Sequence, residues 1–444
     1  MDDSPRILPS VVDVEEPDSP VELYRGPLRI SMEGGDRNLE GSLSLHLVPR
    51  PMIRFEGDLP GPWPAGIVKH PVKLRADGFL PETQAWVASA SYGGEGPHPI
   101  WGYLGAPAFR GDPDSAIDEV RFALTNFPGY KGSKIYDPES RIRSYQRLVF
   151  VVGGFEVTVD GEPGRAEAER QVLRSNGHLF SHRGRIRKID GSAFLVEEGK
   201  ALLECLAFWF AFSAGRWTGP VLSTGFRDGS LVWQDLDLPP LDRFLGGTAW
   251  LPRFTDLDFG GTVDRMWSLW NKSEWQRAMK HVIGWYRLAQ TSGVVETPIV
   301  LGQTALELLS WMVLVEGGHI SGEGFNRIKA EDRLRLLGGH LRLPTGEIPS
   351  AFKVLRSFGA GLNAKDVPTV LTLVRNAMVH PTPKHLTQLE SYEAVLEASE
   401  LAIAVLEQSV LAILGYAGVF TDRTREWRKD GVTGDAPVPW AAPS

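Results

Sequence analysis

The chain has 444 residues, of which 42% are hydrophobic and 23% charged, and its net charge is −8. This is the composition of a folded globular protein long enough for two or three domains. The acidic balance excludes a surface that attracts nucleic acid over its whole area, so any RNA contact must be local. The only cysteine, Cys205, excludes an intrachain disulfide and argues against a cysteine-based metal site.

The first half of the chain is predicted to be β-rich. Residues 1–20 are acidic, rich in proline and without periodicity, which predicts a flexible N-terminus. In residues 21–194, short β-branched and aromatic runs between Gly, Pro, Asp and Asn predict an all-β sandwich or barrel-like domain for sensing or binding an unknown ligand or trigger. Asp160-Gly161 predicts a tight hairpin turn, and the basic run His182–Lys188 favours an exposed strand over a phosphate contact.

The pattern changes after residue 194. Residues 195–262 are predicted to form a connecting helix, which Gly215 ends, and a β-hairpin. Residues 263–420 are predicted to be an all-α helical bundle, since apolar residues recur there at helical spacing. Residues 421–444 are polar and rich in proline, which predicts a flexible tail. The expected fold class is α+β, with the all-β part first.

One helix of this bundle stands out for its apolar character. Thr297-Pro298 supplies an N-cap residue and a proline at the first helical position, and the helix is expected to continue to residue 315. It is apolar on almost every face, which predicts burial on most sides. The most apolar stretches, 401–420 and 201–214, carry charged residues or are too short to span a bilayer. With no apolar segment at the N-terminus, the chain is expected to be cytoplasmic, without membrane contact.

The most informative motif places Arg375, Asn376 and His380 within six residues, at the end of a predicted helix that Pro381 stops. Asn376 and His380 are four residues apart and share one helix face. Arg375 and His380 would point about 140° apart on a straight helix. However, a residue before proline is pushed out of helical geometry, so His380 can turn toward the other two.

These residue types suit cleavage of RNA, which carries its own nucleophile, the 2′-hydroxyl. Cleavage needs a base for that hydroxyl, an acid for the leaving oxygen and positive charge for the phosphorane. Histidine serves as base or acid, and arginine holds phosphate charge bidentately. One copy of the motif supplies one histidine, so an acid–base pair needs a second copy of the motif.

Arg-Asn-x-x-x-His followed by Pro resembles the RNA-cutting motif of the HEPN superfamily, and the resemblance extends over about residues 263 to 416, including the order of the helices. It implies a metal-independent endoribonuclease that needs no cofactor and acts as a homodimer, with RNA in the groove between the subunits. In that site Arg375, Asn376 and His380 are the expected catalytic residues, and Glu307 would orient Arg375. A β part followed by a HEPN part is also similar to abortive-infection proteins, which implies phage defence or a toxin.

Two alternatives remain open. In the first, the chain is a non-catalytic binding or dimerisation protein with a degenerate HEPN domain, in which Arg375 pairs with a buried carboxylate, Asn376 bonds the backbone and His380 favours the negative end of the helix dipole. In the second, the β domain is a carbohydrate-directed enzyme, which would require a cleft with two facing carboxylates.

Overall fold

The computed structural model describes residues 4–14, 16–32, 35–59, 70–91, 98–245, 249–252, 254–380, 382, 391–425 and 434–440. The strands in these residues are β1 Val21–Met32, β2 Gly35–His46, β3 Met52–Leu59, β4 Pro71–Ala76, β5 Leu80–Ala90, β6 His98–Leu104, β7 Phe109–Gly111, β8 Ala116–Ile117, β9 Glu119–Thr125, β10 Ser133–Tyr136, β11 Arg143–Val152, β12 Phe155–Gly161, β13 Phe180–Lys188, β14 Phe194–Leu195, β15 Pro220–Arg227, β16 Ser230–Asp235, β17 Val419–Thr421 and β18 Asp435–Pro437. The helices are α1 Arg165–Ser175, α2 Val196–Ala214, α3 Thr262–Trp270, α4 Ser273–Thr291, α5 Thr297–Leu314, α6 Gly322–Asn326, α7 Ala330–Leu341, α8 Lys353–Gly361, α9 Val367–Val379 and α10 Tyr392–Ile413.

The first six strands close into an antiparallel barrel in the order β1-β2-β3-β6-β5-β4. Side chains alternate between the barrel interior and the outside because the strand repeat is two residues. In β4, for example, Val72, Leu74 and Ala76 are buried while their neighbours are exposed. The barrel has its own hydrophobic core, with Phe55 fully buried.

A second β unit follows, an eight-stranded antiparallel sheet in the order β10-β11-β12-β13-β9-β15-β16-β7. Strand β15 pairs with β9 in the interior of this sheet. The hairpin predicted within residues 195–262 therefore exists, but it completes the sheet rather than connecting two domains. The predicted boundary at residue 194 does not coincide with the end of the β region. With helices predominating from α3 onward, the predicted α+β class is confirmed.

The hairpin turn predicted at Asp160-Gly161 is wrong. Both residues belong to β12, and the turn before this strand is made by Gly153 and Gly154, whose φ angles are +57° and +83°. Asp160 is fully buried, and its carboxylate lies 2.6 Å from Nη2 of Arg147, the residue opposite it on β11. A buried carboxylate requires such a partner. This cross-strand pair, which local sequence does not reveal, keeps Asp160 in the strand.

The basic run lies in β13, as predicted, and its arginines are used within the sheet. Arg183 pairs with Glu162 at 2.7 Å, Arg185 pairs with Glu156 at 3.5 Å, and Arg187 pairs with Glu119. Ile186 between the last two arginines is buried. These contacts favour the strand interpretation over a phosphate-binding one.

Both chain ends are docked where the structure describes them, in contrast to the predicted flexible N-terminus and tail. Leu8 and Val12 are buried, and the amide of Leu8 donates to Asp160 at 2.8 Å. After α10, strands β17 and β18 pair, and Val438 is buried. Few apolar residues in each segment are enough to anchor it because the receiving surfaces are already ordered.

Helix α5 is the central helix of the C-terminal region and packs against α4, α7, α9 and α10. It is also long and apolar enough to cross a membrane by length and composition, yet 61% of it is buried inside the protein. This burial explains its apolar sequence, since a helix covered on most sides has no polar face.

A buried ionic cluster fixes the C-terminal segment to the helices. Nε of Arg423 donates to Glu407 at 2.9 Å, and the hydroxyl of Tyr286 donates to the same carboxylate at 2.5 Å. Burial raises the pKa of Glu407, although Arg423 and Tyr286 counteract it. Burial also raises the pKa of the Tyr286 phenol, and the adjacent Glu407 adds to that effect. The cluster therefore ties α4, α10 and the segment after β17 together.

We expect Arg423→Met to lower the free energy of unfolding by about 3–5 kcal/mol, because it leaves the Glu407 carboxylate buried without its cation. Urea denaturation followed by fluorescence measures the loss. Arg425→Met is the matched control, since Arg425 is exposed and its pair with Asp422 should contribute less than about 1 kcal/mol. Equal effects of the two substitutions would contradict the structural importance of the buried pair.

Candidate functional site

Helix α9, which carries the motif, is fixed at its start. The Asp366 carboxylate caps the helix by accepting from the amide of Thr369 at 2.9 Å, and Pro368 occupies the first turn. Arg335 of α7 holds the same carboxylate through Nε at 2.6 Å and also bonds the Thr369 hydroxyl. Burial acts to raise the pKa of Asp366, but the hydrogen bonds from Arg335 and Thr369 outweigh it, so the pKa is lowered.

The outward face of α9 ends in the motif. Leu373 and His380 are exposed and Asn376 is half-buried, and these three residues follow one another at helical spacing. The shared face predicted for Asn376 and His380 therefore points away from the core. His380 follows the last helical residue with φ −120° and ψ 65°, outside helical geometry, as expected for a residue before proline.

Arg375 lies on the flank of the helix next to this face. Its side chain is half-buried, and Nη1 donates to Oδ1 of Asn376 at 3.1 Å. Its Nε is buried without a hydrogen-bond partner among the described residues. The structure thus brings Arg375 and Asn376 into direct contact beside the exposed His380, and no carboxylate among the described residues pairs with the guanidinium.

Glu307 lies on the neighbouring helix α5 and is half-buried. The amide nitrogen of Gln303 is 3.3 Å from Oε1 of Glu307 and 3.5 Å from the Thr372 hydroxyl on α9. No ion pair within 4.0 Å links Glu307 to Arg375 in the described chain, so the expected Glu307–Arg375 pair is not formed. Gln303, one turn earlier on the same helix, takes the place of the arginine as the donor to Glu307.

The structure does not describe every residue of the motif region. Pro381 and residues 383–390 are among the residues that are not described. Among those that are, no group of three or more His, Cys, Asp or Glu residues is placed to hold a metal ion.

The structure is that of an α+β protein, and parts of its sequence are similar to known proteins. Residues 112–246 match the family model of the YopA central domain, and residues 272–433 match that of the YopA C-terminal domain. The chain is 22% identical over 431 residues to the SPbeta prophage-derived uncharacterized protein YopA of Bacillus subtilis (strain 168), which covers 95% of each chain. No solved structure matches the chain.

Asp366 both caps α9 and pairs with Arg335, and substitutions can separate these two roles. We expect Asp366→Ala to lower the free energy of unfolding by about 1–2 kcal/mol, since it removes the N-cap, and Asp366→Asn to lower it less, since asparagine caps equally well.

Because its pKa is lowered on folding, Asp366 stabilises the protein above the unfolded pKa of about 3.9, and this contribution is lost as the pH falls through the folded pKa. Urea denaturation at neutral and acidic pH measures both effects, and an Asn variant as unstable as the Ala variant would contradict the capping role.

Proposed function

We propose that the protein is a metal-independent endoribonuclease of the HEPN type that acts as a homodimer. The observation that carries the proposal is the exposed end of α9, where His380 leaves the helix beside the contacting pair Arg375 and Asn376. The Arg375 side chain is half-buried, and its N–H groups face no carboxylate in the described chain. A phosphate of RNA would supply the missing negative partner.

The proposed reaction uses only groups of the protein and the RNA. One His380 takes the proton of the 2′-hydroxyl, whose oxygen then forms a bond to phosphorus. The bond from phosphorus to the 5′-oxygen breaks, and that oxygen receives a proton from a second, protonated imidazole. The products are a 2′,3′-cyclic phosphate and a 5′-hydroxyl. Arg375 stabilises the charge of the phosphorane, and Asn376 positions both Arg375 and the phosphate.

The homodimer follows from the count of groups. The motif supplies one imidazole per chain, whereas the reaction needs a base and an acid, and a two-fold axis beside α9 would bring two His380 rings to one groove. The exposed Leu373 and Val379 on the same helix supply apolar surface for such a contact. A dimer would also place two Arg375 guanidinium groups at the groove, where they would offset the negative net charge of the chain.

Glu307 has a positioning role in this proposal. Its carboxylate is held by Gln303, which also reaches Thr372 on the flank of α9. Through Gln303, Glu307 would hold the turn of α9 at Thr372, which comes just before Arg375 in the helix. The biological setting that we propose is conflict between phages and their hosts, as a defence nuclease or toxin, and the prophage origin of the Bacillus subtilis relative agrees with it.

We expect His380→Ala and Arg375→Ala each to reduce cleavage of a total RNA pool by about 10²–10⁴-fold, since each removes a group that acts in the transition state. Sequencing gels that resolve 2′,3′-cyclic phosphate ends measure the products. His281→Ala and Arg356→Ala are matched controls, since both side chains are exposed and lie on other helices. Cleavage by the two motif variants at the wild-type rate, with the fold intact, would contradict the proposal.

A site built from both subunits also predicts that an inactive chain inhibits the wild-type chain with which it assembles. A mixed dimer of wild-type and His380→Ala chains has only one His380 imidazole, which leaves the acid–base pair incomplete, so it should cleave as slowly as the variant alone. Increasing amounts of the variant, co-expressed and assembled with the wild type, should therefore suppress activity in proportion to mixed-dimer formation. Analytical ultracentrifugation establishes the dimer. A monomeric enzyme with full activity would rule out a groove shared by two subunits, but it would not contradict the roles proposed for Arg375 and His380.

A second candidate function is a non-catalytic binding protein in which the helical region only dimerises. The contact between Arg375 and Asn376 favours it, because an internal hydrogen bond of this kind also serves a purely structural role. This candidate predicts that wild-type protein forms dimers, leaves RNA intact and loses dimerisation, rather than activity, when Leu373 is replaced by Lys.

A further inference from the structure

A cleft of about 680 Å³ lies between α2, the end of β16 and the start of α4. All of its lining residues precede the motif by about 100 residues or more in the sequence. Its walls include Lys200 of α2, Ser223 of β15 and Gln276 of α4, with Asp235 and Asp237 at the end of β16. This volume is in the range of small-molecule sites. The walls come from both matched regions, since Gln276 belongs to the second one.

The polar groups of the cleft retain unused hydrogen-bonding capacity. One oxygen of Asp235 accepts from the amide of Asp237 at 3.0 Å, and one oxygen of Asp237 accepts from the amide of Ala108 at 2.9 Å. The second oxygen of each carboxylate has no hydrogen-bond partner among the described residues. The Lys200 ammonium likewise has neither a hydrogen bond nor an ion pair there.

Ser223 provides an independent observation. Its side chain is only 4% exposed, it lines the cleft, and its hydroxyl has no partner in the described part of the chain. A bulge places it there, since the pairing of β15 with β9 shifts between Val221 and Thr224, and Leu222 has φ +51°. A left-handed conformation is costly for leucine. The side chain is thus mostly buried, and its hydroxyl, which bonds no described residue, is available to a ligand in the cleft.

The cleft also has an apolar wall. Phe208 and Trp217 meet edge to face with ring centroids 5.3 Å apart, and both are half-buried. Burial in this setting raises the pKa of Asp235 to about 6, although the hydrogen bond from Asp237 and the charge of Lys200 oppose it. Burial raises the pKa of Asp237 as well. Further anionic charge in this space would be unfavourable, which argues against a phosphorylated ligand.

We infer that this cleft binds the vicinal diol of an uncharged small molecule, with the aromatic wall against its flat face. Two carboxylate oxygens require donors, whereas Lys200 requires an acceptor, and Ser223 serves either way. A hydroxyl group donates and accepts at once, so neighbouring hydroxyls satisfy all of these groups together. Carboxylates bind the hydroxyls of ribose in this manner in other proteins. The diol can come from a ribonucleoside or from a monosaccharide.

Isothermal titration calorimetry on the full-length chain separates the two sources. The first arm titrates adenosine and uridine at millimolar concentration against their 2′-deoxy counterparts, which lack the diol. The second arm titrates glucose, galactose and mannose. We expect binding in one arm. If it is the nucleoside arm, removal of the 2′-hydroxyl should weaken binding at least tenfold.

Variants test whether the binding is at this cleft. Asp235→Asn and Ser223→Ala should each weaken binding at least tenfold, whereas Asp228→Asn, an exposed carboxylate on the adjoining hairpin turn, should leave it unchanged. Unfolding temperatures of the unliganded variants show that the fold is retained. The inference would be overturned if neither the nucleosides nor the sugars bind, or if deoxynucleosides bind as tightly as ribonucleosides. It would also be overturned if both cleft variants bind with wild-type affinity.

Discussion

The structure depends on the burial of helix α2 from both sides. Twelve of its nineteen residues are buried, and its large aromatic side chains contact partners from several elements. Phe210 meets Phe127 after β9, whereas Phe212 meets Tyr286 of α4. One hydrophobic core therefore extends from the eight-stranded sheet through α2 to the helices. An amphipathic helix would cover only one of these surfaces, and the other would be open to water.

This shared core changes how the two matched regions should be understood. Residues 112–246 and 272–433 match separate family models, yet α2 of the first packs against α4 of the second. A further link joins the turn of the sheet to a helix, since the amide of Gly153 donates to Asp264 of α3 at 2.8 Å. The first six strands pack around a different core, to which Ala123 of β9 and Val221 and Leu222 of β15 also contribute. The barrel therefore packs directly against the eight-stranded sheet.

The sequence predicted the features that local chemistry decides. Gly215 ends α2 with φ +69° and Asp366 caps α9, since caps depend on neighbours in the chain. Thr297 and Pro298 begin α5, but Glu296 rather than Thr297 is its N-cap residue. Asp160 shows the opposite case, because its place in a strand depends on Arg147 across the sheet. Closure of the first six strands into a barrel also depends on pairing between distant residues.

The candidate site likewise has one feature that depends on the local sequence and one that depends on contacts with another helix. The shared face of Asn376 and His380 could be predicted because it depends only on the period of one helix. Whether Glu307 pairs with Arg375 could not, since that depends on how α5 packs against α9, where Gln303 lies beside Thr372.

Helix α9 shows how a local constraint determines what the surface presents. Asp366 and Arg335 fix the first turn, and the regular twist of the helix then determines the direction of every later side chain. Val370, Val374 and Ala377 must face the core because they are its apolar contacts. Leu373, Asn376 and His380 are consequently turned outward. The motif lies at the surface, then, because the turn of the helix that buries its apolar side chains leaves the opposite side facing outward.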